Sequence, residues 1–282
     1  MRLVEVEHSF FNRRFRVELD DGATVEAVFY RGDTLCISSQ VGCAVACTFC
    51  ASGARGLSRP LSAQELWGQV ASAREQGLSV KRVTISGVGE PLHNHAATKE
   101  LVLRCRAESI GPSLTTSGGP VARLCEWLFL PHNGLTLSIH AGSEAVRARL
   151  VPKGPPLSAI FDCLVREVPR LSRSRRKKLA LAFLLLAGEN DGNHEVDQFI
   201  ARVAPLGLAV HLYAHNSVAQ SQARGVSRER YEEVYGRMRE AGLTVRMSSQ
   251  ARLSANGGCG TLLAFQARGA RAGHLAVLNS AG

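Results

Sequence analysis

Three cysteines fall within one short run, GCAVACTFCASG: Cys43, Cys47 and Cys50, spaced C-x3-C-x2-C, with Phe49 just before the last. Three thiolates on one tight loop can each hold one iron of a [4Fe–4S] cube, which leaves the fourth iron without a protein ligand and open to a small molecule. A structural zinc site wants four ligands, usually from two separated C-x2-C hairpins. The sequence has no second hairpin of that kind. The spacing therefore favours a cluster.

Other residues suited to chemistry lie downstream. Gly87-Val88-Gly89-Glu90-Pro91 follows the apolar run VTIS; its glycines allow close backbone approach, and Glu90 offers a carboxylate to an ammonium group. Ser117 in SLTTSG, Ser138 and His140 in SIHA, and Asn216 in LYAHN end later strands and could contact ribose or carboxylate, although each alone also reads as an ordinary strand-end residue. Cys36 stands seven residues before Cys43, and Cys259 sits far away in SANGGCGTL. Cys105, Cys125 and Cys163 fall on helical patterns and read as small buried hydrophobes. Cys259 differs, because a glycine-rich loop suits a thiolate that must reach into a site and move again.

These residues need a frame. RFRVELDDGATVEAVFY alternates with period two on either side of Asp20-Asp21-Gly22, a hairpin signal. TLCISSQ leads into the cysteine loop, and LSAQELWGQVASAREQG reads as a helix capped by Ser62 and ended by Gly77. Strands and helices then alternate: RVTISG with His95–Ala107, SLTTSG with Val121–Leu130, LTLSIHA with Glu144–Val151, KLALAFLLLAG with Asn193–Val203, LAVHLYAHN with a helix from a Ser227 cap to Ala241, and LTVRMSS last. Alternation implies α/β architecture with a parallel sheet. About six βα units fit, fewer than the eight of a closed barrel, so a partial (β/α)6 barrel is expected. The expected division is residues 1–29 as an N-terminal β-rich extension, 30–255 as the core, and 256–282 as a C-terminal segment carrying Cys259.

With 282 residues and 45% hydrophobic side chains the chain can bury one large core. Its longest apolar stretch, from Leu179, is bracketed by Lys177, Lys178 and Glu189, too short for a membrane span. The N-terminus lacks the apolar core of a signal peptide. Eight cysteines without such a signal argue for metal or redox chemistry in a reducing compartment rather than a disulfide framework, and a cytoplasmic location is expected. Lys and Arg number 34 against 24 Asp and Glu, a formal charge of +10 that favours polyanionic partners. The densest run, Arg170 to Lys178, is a candidate for phosphate contact.

The order Cys36, Cys43-x3-Cys47-x2-Cys50, GVGEP, SIHA and a C-terminal Cys259-Gly260 resembles the RlmN/Cfr family of radical-SAM RNA methyltransferases, from about Ala23 to Leu262. The resemblance implies a radical SAM type of partial (β/α)6 TIM-like barrel with a small N-terminal β extension. It implies one [4Fe–4S] cluster on Cys43, Cys47 and Cys50, and two S-adenosylmethionine molecules per turnover, held by Gly89, Glu90, Ser117, Ser138, Ile139, His140 and Asn216. Cys259 would first take a methyl by simple displacement. A radical from the second S-adenosylmethionine would remove a hydrogen from that methyl, and the carbon radical would add to an adenine. Cys36 would then form a transient disulfide with Cys259 as the methylated base leaves, with Glu26 accepting the ring proton; on sequence alone Glu26 reads as a solvent-facing strand residue. The implied substrate is ribosomal or transfer RNA, methylated at adenine C2 in preference to C8, with an electron donor such as flavodoxin.

The chain departs from the family in three places: the N-terminal helical accessory domain is expected to be missing or reduced to a stub, Val88 replaces the usual methionine, and QARLSANGGCG lacks the common arginine-, glycine- and aspartate-rich lead-in. Two rival readings remain. The same chemistry could serve a small molecule or peptide, or the chain could be a non-catalytic zinc-containing RNA-binding protein.

Overall fold

The computed structural model describes residues 1–218, 221–253 and 260–266. The strands are β1 (Arg2–His8), β2 (Asn12–Glu18), β3 (Thr24–Tyr30), β4 (Thr34–Ile37), β5 (Gln40–Gly42), β6 (Leu57–Pro60), β7 (Arg82–Ile85), β8 (Gly111–Thr116), β9 (Gly134–Ser138), β10 (Leu179–Leu185), β11 (Ala209–Ala214) and β12 (Val245–Met247). The helices are α1 (Ala63–Glu75), α2 (His95–Ala107), α3 (Val121–Trp127), α4 (Glu144–Leu150), α5 (Leu157–Glu167), α6 (Arg173–Arg176), α7 (Asn193–Val203), α8 (Arg228–Glu240) and α9 (Gln250–Leu253).

Ten strands form one sheet in the order β1-β2-β3-β4-β7-β8-β9-β10-β11-β12. From β4 to β12 every pairing is parallel, and helical crossovers link successive strands, as the alternating sequence requires. The lead-in strands β1 to β3 pair antiparallel and continue the same sheet through β4. The outer strands β1 and β12 do not meet, so the barrel is open along one side. Ser62 caps α1 as expected: its Oγ accepts the Glu65 N–H at 3.1 Å while the Glu65 carboxylate accepts the Ser62 N–H at 2.7 Å, a reciprocal arrangement worth about 1 kcal/mol. Among the described residues no helix is long and apolar enough to cross a membrane.

The apolar core lies between sheet and helices, not inside the barrel. In β8, β9 and β11 the residues under the helices, Leu114, Leu135, Leu137, Val210 and Leu212, are buried, whereas Ser113, Thr115, Thr136, Ser138, His211 and Tyr213 on the opposite face are only half-buried. Along β10, the apolar LALAFLL, both faces are buried over all seven residues. A closed barrel fills its interior with Val, Ile and Leu; this one keeps a polar hollow.

Three local expectations need correcting. Helix α3 stops at Trp127, short of Leu130, and helix α5 went unread although Leu157, Ile160, Phe161 and Leu164 mark one buried face. Cys125 and Cys163 are not separate thiols: α3 and α5 pack side by side, their Cα atoms lie 6.1 Å apart, and the two form a disulfide. The basic run precedes β10, at the end of the sheet away from the cysteine loop; Arg173, Lys177 and Lys178 are exposed, and the rest bonds in part to the protein itself. Arg170 pairs with Glu167, Arg175 donates to the Phe129 and Leu130 carbonyls, and Arg176 to that of Leu171.

Candidate active site

The cysteine loop leaves β5 at Gly42 and returns through β6, two short antiparallel strands that close its base. Gly42 has φ +85°, and a Cβ there would overlap the Gly56 carbonyl oxygen. Gly42→Ala is expected to open the loop and to strip most of the cluster absorbance from anaerobically purified protein, and wild-type iron content in that variant would refute the assignment. Cys43, Cys47 and Cys50 face one cavity of about 150 Å³, which also receives Gly89, Glu90, Ser117, Ser138, His140 and Asn216. Val45, Phe49, Leu150, Leu184 and Leu186 form an apolar shell around the thiols.

This donor set fits a cube. Three thiols face one cavity within an apolar shell, and each can hold one iron. Burial pushes the Cys43 thiol up to about 12, and burial with the neighbouring Cys50 and Cys43 raises Cys47 well above the usual thiol range. Iron must displace these protons, so anaerobic reconstitution should fill more sites at about pH 8.5 than at about pH 7. Equal filling at both, followed by absorbance, would contradict buried thiol ligands.

The GVGEP turn rests on the chain just after β4. Val88 O accepts the Ser39 and Gln40 N–H groups at 2.8 and 3.2 Å, and the Ser38 hydroxyl accepts the Val88 N–H at 2.9 Å. Glycine is required for this approach: a Cβ on Gly87 would stand 2.7 Å from Ile37 O, and one on Gly89, at φ +110°, 2.6 Å from Ser39 Oγ. Glu90 is almost fully buried, and its carboxylate is occupied. Oε1 accepts the Thr116 hydroxyl at 2.5 Å and the Leu92 N–H at 3.0 Å; Oε2 accepts the Ser117 N–H and hydroxyl, each at 2.7 Å. Those four donors take the four lone-pair positions of a carboxylate.

His140 sits in left-handed backbone at φ 56°, edge-on to Phe49 with ring centroids 5.2 Å apart. Its Nδ1 accepts the Leu184 N–H at 2.9 Å, and burial, with Arg147 and Arg252 nearby, pushes its pKa down to about 3. It is therefore a neutral imidazole with the proton on Nε2. Ile139 is not among the residues that line the cavity, although Ser138 and His140 on either side of it are; its side chain is buried in the main core. Asn216 donates to the Arg252 carbonyl at 2.9 Å.

Arg147 was not anticipated. It is 1% exposed, and its guanidinium donates to the carbonyls of Ser138 (2.7 Å), Ile139 (2.9 Å), Ser117 (2.7 Å) and Pro155 (3.3 Å). Burial lowers its pKa to about 10, while Cys47, Glu90 and Glu144 act the other way. One side chain thus ties the ends of β8 and β9 together beneath the cavity.

Cys36 and Glu26 lie to one side. Cys36 is buried, 3.4 Å from Ser86 Oγ, and packs with Val28, Val88 and Leu262. It lines a second cavity of about 300 Å³ inside the barrel, which meets the first at Ser86, Thr115, Tyr213 and Arg252. Glu26 shares the β3 face of Val28, which stands directly opposite Cys36. Far from facing solvent, its Oε2 accepts Arg14 at 2.6 Å and the Leu263 N–H at 2.7 Å. Cys259 lies outside the described residues, but its neighbour Gly260 lines the cluster cavity and accepts the Ala51 N–H at 2.8 Å. Ser52 Oγ donates to Leu262 O at 2.9 Å, and Thr24 forms a bridge with Phe265.

A loop of three thiols at the C-terminal rim of an open parallel barrel, with a glycine-built turn beside it, defines a class. The profile of the radical SAM superfamily matches residues 37–200, and the chain belongs to that superfamily. Its members use a [4Fe–4S] cluster with S-adenosylmethionine. Within it, a protein of Methylibium petroleiphilum named Probable RNA methyltransferase is 34% identical over 92% of this chain and 74% of its own length. A protein of Pseudomonas aeruginosa with the same designation is 34% identical, with 91% and 74% covered. The crystal structure of a radical SAM methyltransferase from Sphaerobacter thermophilus is similar at TM-score 0.80 and 29% identity, over 92% of this chain and 81% of that one.

Proposed function

We propose that this chain is an S-adenosylmethionine-dependent RNA methyltransferase that methylates a ring carbon of adenine, C2 in preference to C8, in ribosomal or transfer RNA through a methyl group carried on Cys259. The observation that carries the reading is the meeting of two cavities: one receives the three cluster thiols and Gly260, the other is walled by Cys36, and Ser86 belongs to both. The name borne by relatives at 34% identity supports RNA as substrate.

When bound, the cluster supplies the electron that splits S-adenosylmethionine and yields a carbon radical. The protein's part is to place groups. With the Glu90 carboxylate spent on four protein donors, the methionine ammonium is better met by the backbone carbonyls of Gly87 and Gly89, which accept no hydrogen bond from the described residues. Glu90 then fixes Thr116 and Ser117, and His140 offers its Nε2 proton to the adenosyl or carboxylate group. Cys259 takes the methyl as a thiolate. Cys36 later bonds to the Cys259 sulfur as the carbon–sulfur bond breaks; the carbon leaves with the electron pair and takes up a proton to become the methyl of the base. A thiol reductant from solution restores both cysteines. Glu26 Oε1 accepts no hydrogen bond among the described residues, which leaves that oxygen for the ring proton while Oε2 holds Leu263. Nucleoside mass spectrometry of ribosomal and transfer RNA from cells with and without the gene tests this. Loss of 2-methyladenosine or 8-methyladenosine is expected, and unchanged RNA in cells shown to make the protein would overturn it.

A further inference from the structure

The barrel cavity beside Cys36 is more than spare space. Its walls carry hydroxyls from Thr84, Ser86, Thr115 and Thr136 and no carboxylate, so no anionic side chain lines it to select a cationic ligand. Its outer part lies between the β3–β4 turn and β12, along the open side of the barrel, and is flanked by Arg31 and Arg246. Both arginines are exposed, and neither forms an ion pair among the described residues, whereas Arg2, Arg13, Arg14, Arg16 and Arg59 on the neighbouring strands are matched to Asp or Glu. Arg31 is held at φ 57°, a left-handed conformation uncommon for a residue with a side chain. At the inner end Arg252 stacks on the Tyr213 ring, 3.5 Å from its centroid, where this cavity joins the cluster cavity.

We infer that the open side of the barrel admits the target nucleotide: its phosphate is met by Arg31 and Arg246 at the mouth, and its adenine lies among the threonine and serine hydroxyls with the reacting edge toward the Tyr213–Arg252 seam. Cationic groups at the mouth suit phosphate. Hydroxyls that both donate and accept suit an adenine edge, which presents ring acceptors beside an amino donor. A base drawn out of its stack and read from a pocket is the general way such atoms are reached. The inference rests on reading the substrate as adenine-bearing RNA.

The test uses anaerobically prepared, cluster-loaded full-length protein with S-adenosylmethionine present. Its probes are a short adenine-containing oligoribonucleotide, adenosine 5′-monophosphate and adenosine. The monophosphate should bind about tenfold tighter than adenosine, and R31E/R246E should lose that preference. For the oligonucleotide the double variant should weaken binding at least about tenfold and flatten its salt dependence, by about 0.7 in log–log slope for each phosphate no longer neutralised. Photolabelling of the unaltered protein with 8-azidoadenosine 5′-monophosphate should mark peptides containing Thr136, His211 or Met247. Unchanged affinity and slope in the double variant, or labels confined to the cysteine-loop peptide, would overturn the inference even if RNA is methylated. Arginine-dependent nucleotide binding together with unchanged adenine methylation in cellular RNA would instead uphold this site and count against adenine methylation as the reaction.

Discussion

Cys36→Ala is expected to trap RNA on the protein. In the proposed cycle the adenine becomes bonded to the carbon on Cys259, and release needs a second thiol to bond to the Cys259 sulfur. Cys36 is the only cysteine of the barrel cavity among the described residues, and the Ser86 hydroxyl at 3.4 Å cannot replace it as a thiol. Turnover should fall on the order of a hundredfold or more, the usual size of effect when a group acting in the step is removed. A covalent RNA–protein band should persist on denaturing gels. Cys259→Ala should give neither product nor band. Normal release of methylated RNA by the Cys36 variant would end the assigned role.

Arg147→Met should be nearly as damaging, for a different reason. Methionine fills similar space but leaves the carbonyls of Ser117, Ser138, Ile139 and Pro155 without their donor. A buried polar group left unpaired costs about 1–3 kcal/mol. Removing a buried cation returns part of that through relieved desolvation, so a net loss of about 3 kcal/mol is expected in denaturant unfolding. Because this fork joins the ends of β8 and β9 beneath the cavity, S-adenosylmethionine affinity should fall with it. Arg147→Lys keeps the charge but cannot span four carbonyls, and should recover little of the affinity. Wild-type stability and binding in the methionine variant would show that the strand ends are held by other means.

The cysteine loop was legible because its signal is local: three thiols and two glycines close in sequence are close in space whatever the rest does. The parallel sheet was legible for a similar reason, since apolar runs such as LTLSI and LALAFLL alternate with capped helices. Arg147 was not, because its partners are backbone oxygens from three separate segments, and backbone leaves no mark on a sequence. Glu90 shows the same limit: the carboxylate was visible, its four donors were not. Glu26 looked solvent-facing because strand alternation gives no hint that residues 260–265 lie across it. The Arg170–Lys178 run was visible as charge, but charge density does not say which of its members bond back to the protein, as Arg170, Arg175 and Arg176 do. For α5 the apolar spacing was present, but its short flanking turns hid it between two clearer elements.

The polar hollow of the barrel has a consequence for how this protein can change. Thr84, Thr115, Thr136 and His211 contribute little to the packing that keeps the chain folded, because the apolar core lies on the other side of the sheet. Substitutions there alter shape and hydrogen bonding toward a ligand at small expense in folding free energy, whereas substitutions at Leu114, Leu137 or Leu212 would open cavities costing about 2–5 kcal/mol each. Stability and selectivity therefore occupy opposite faces of the same strands, so that descendants of one ancestral enzyme can acquire new targets without first losing their fold.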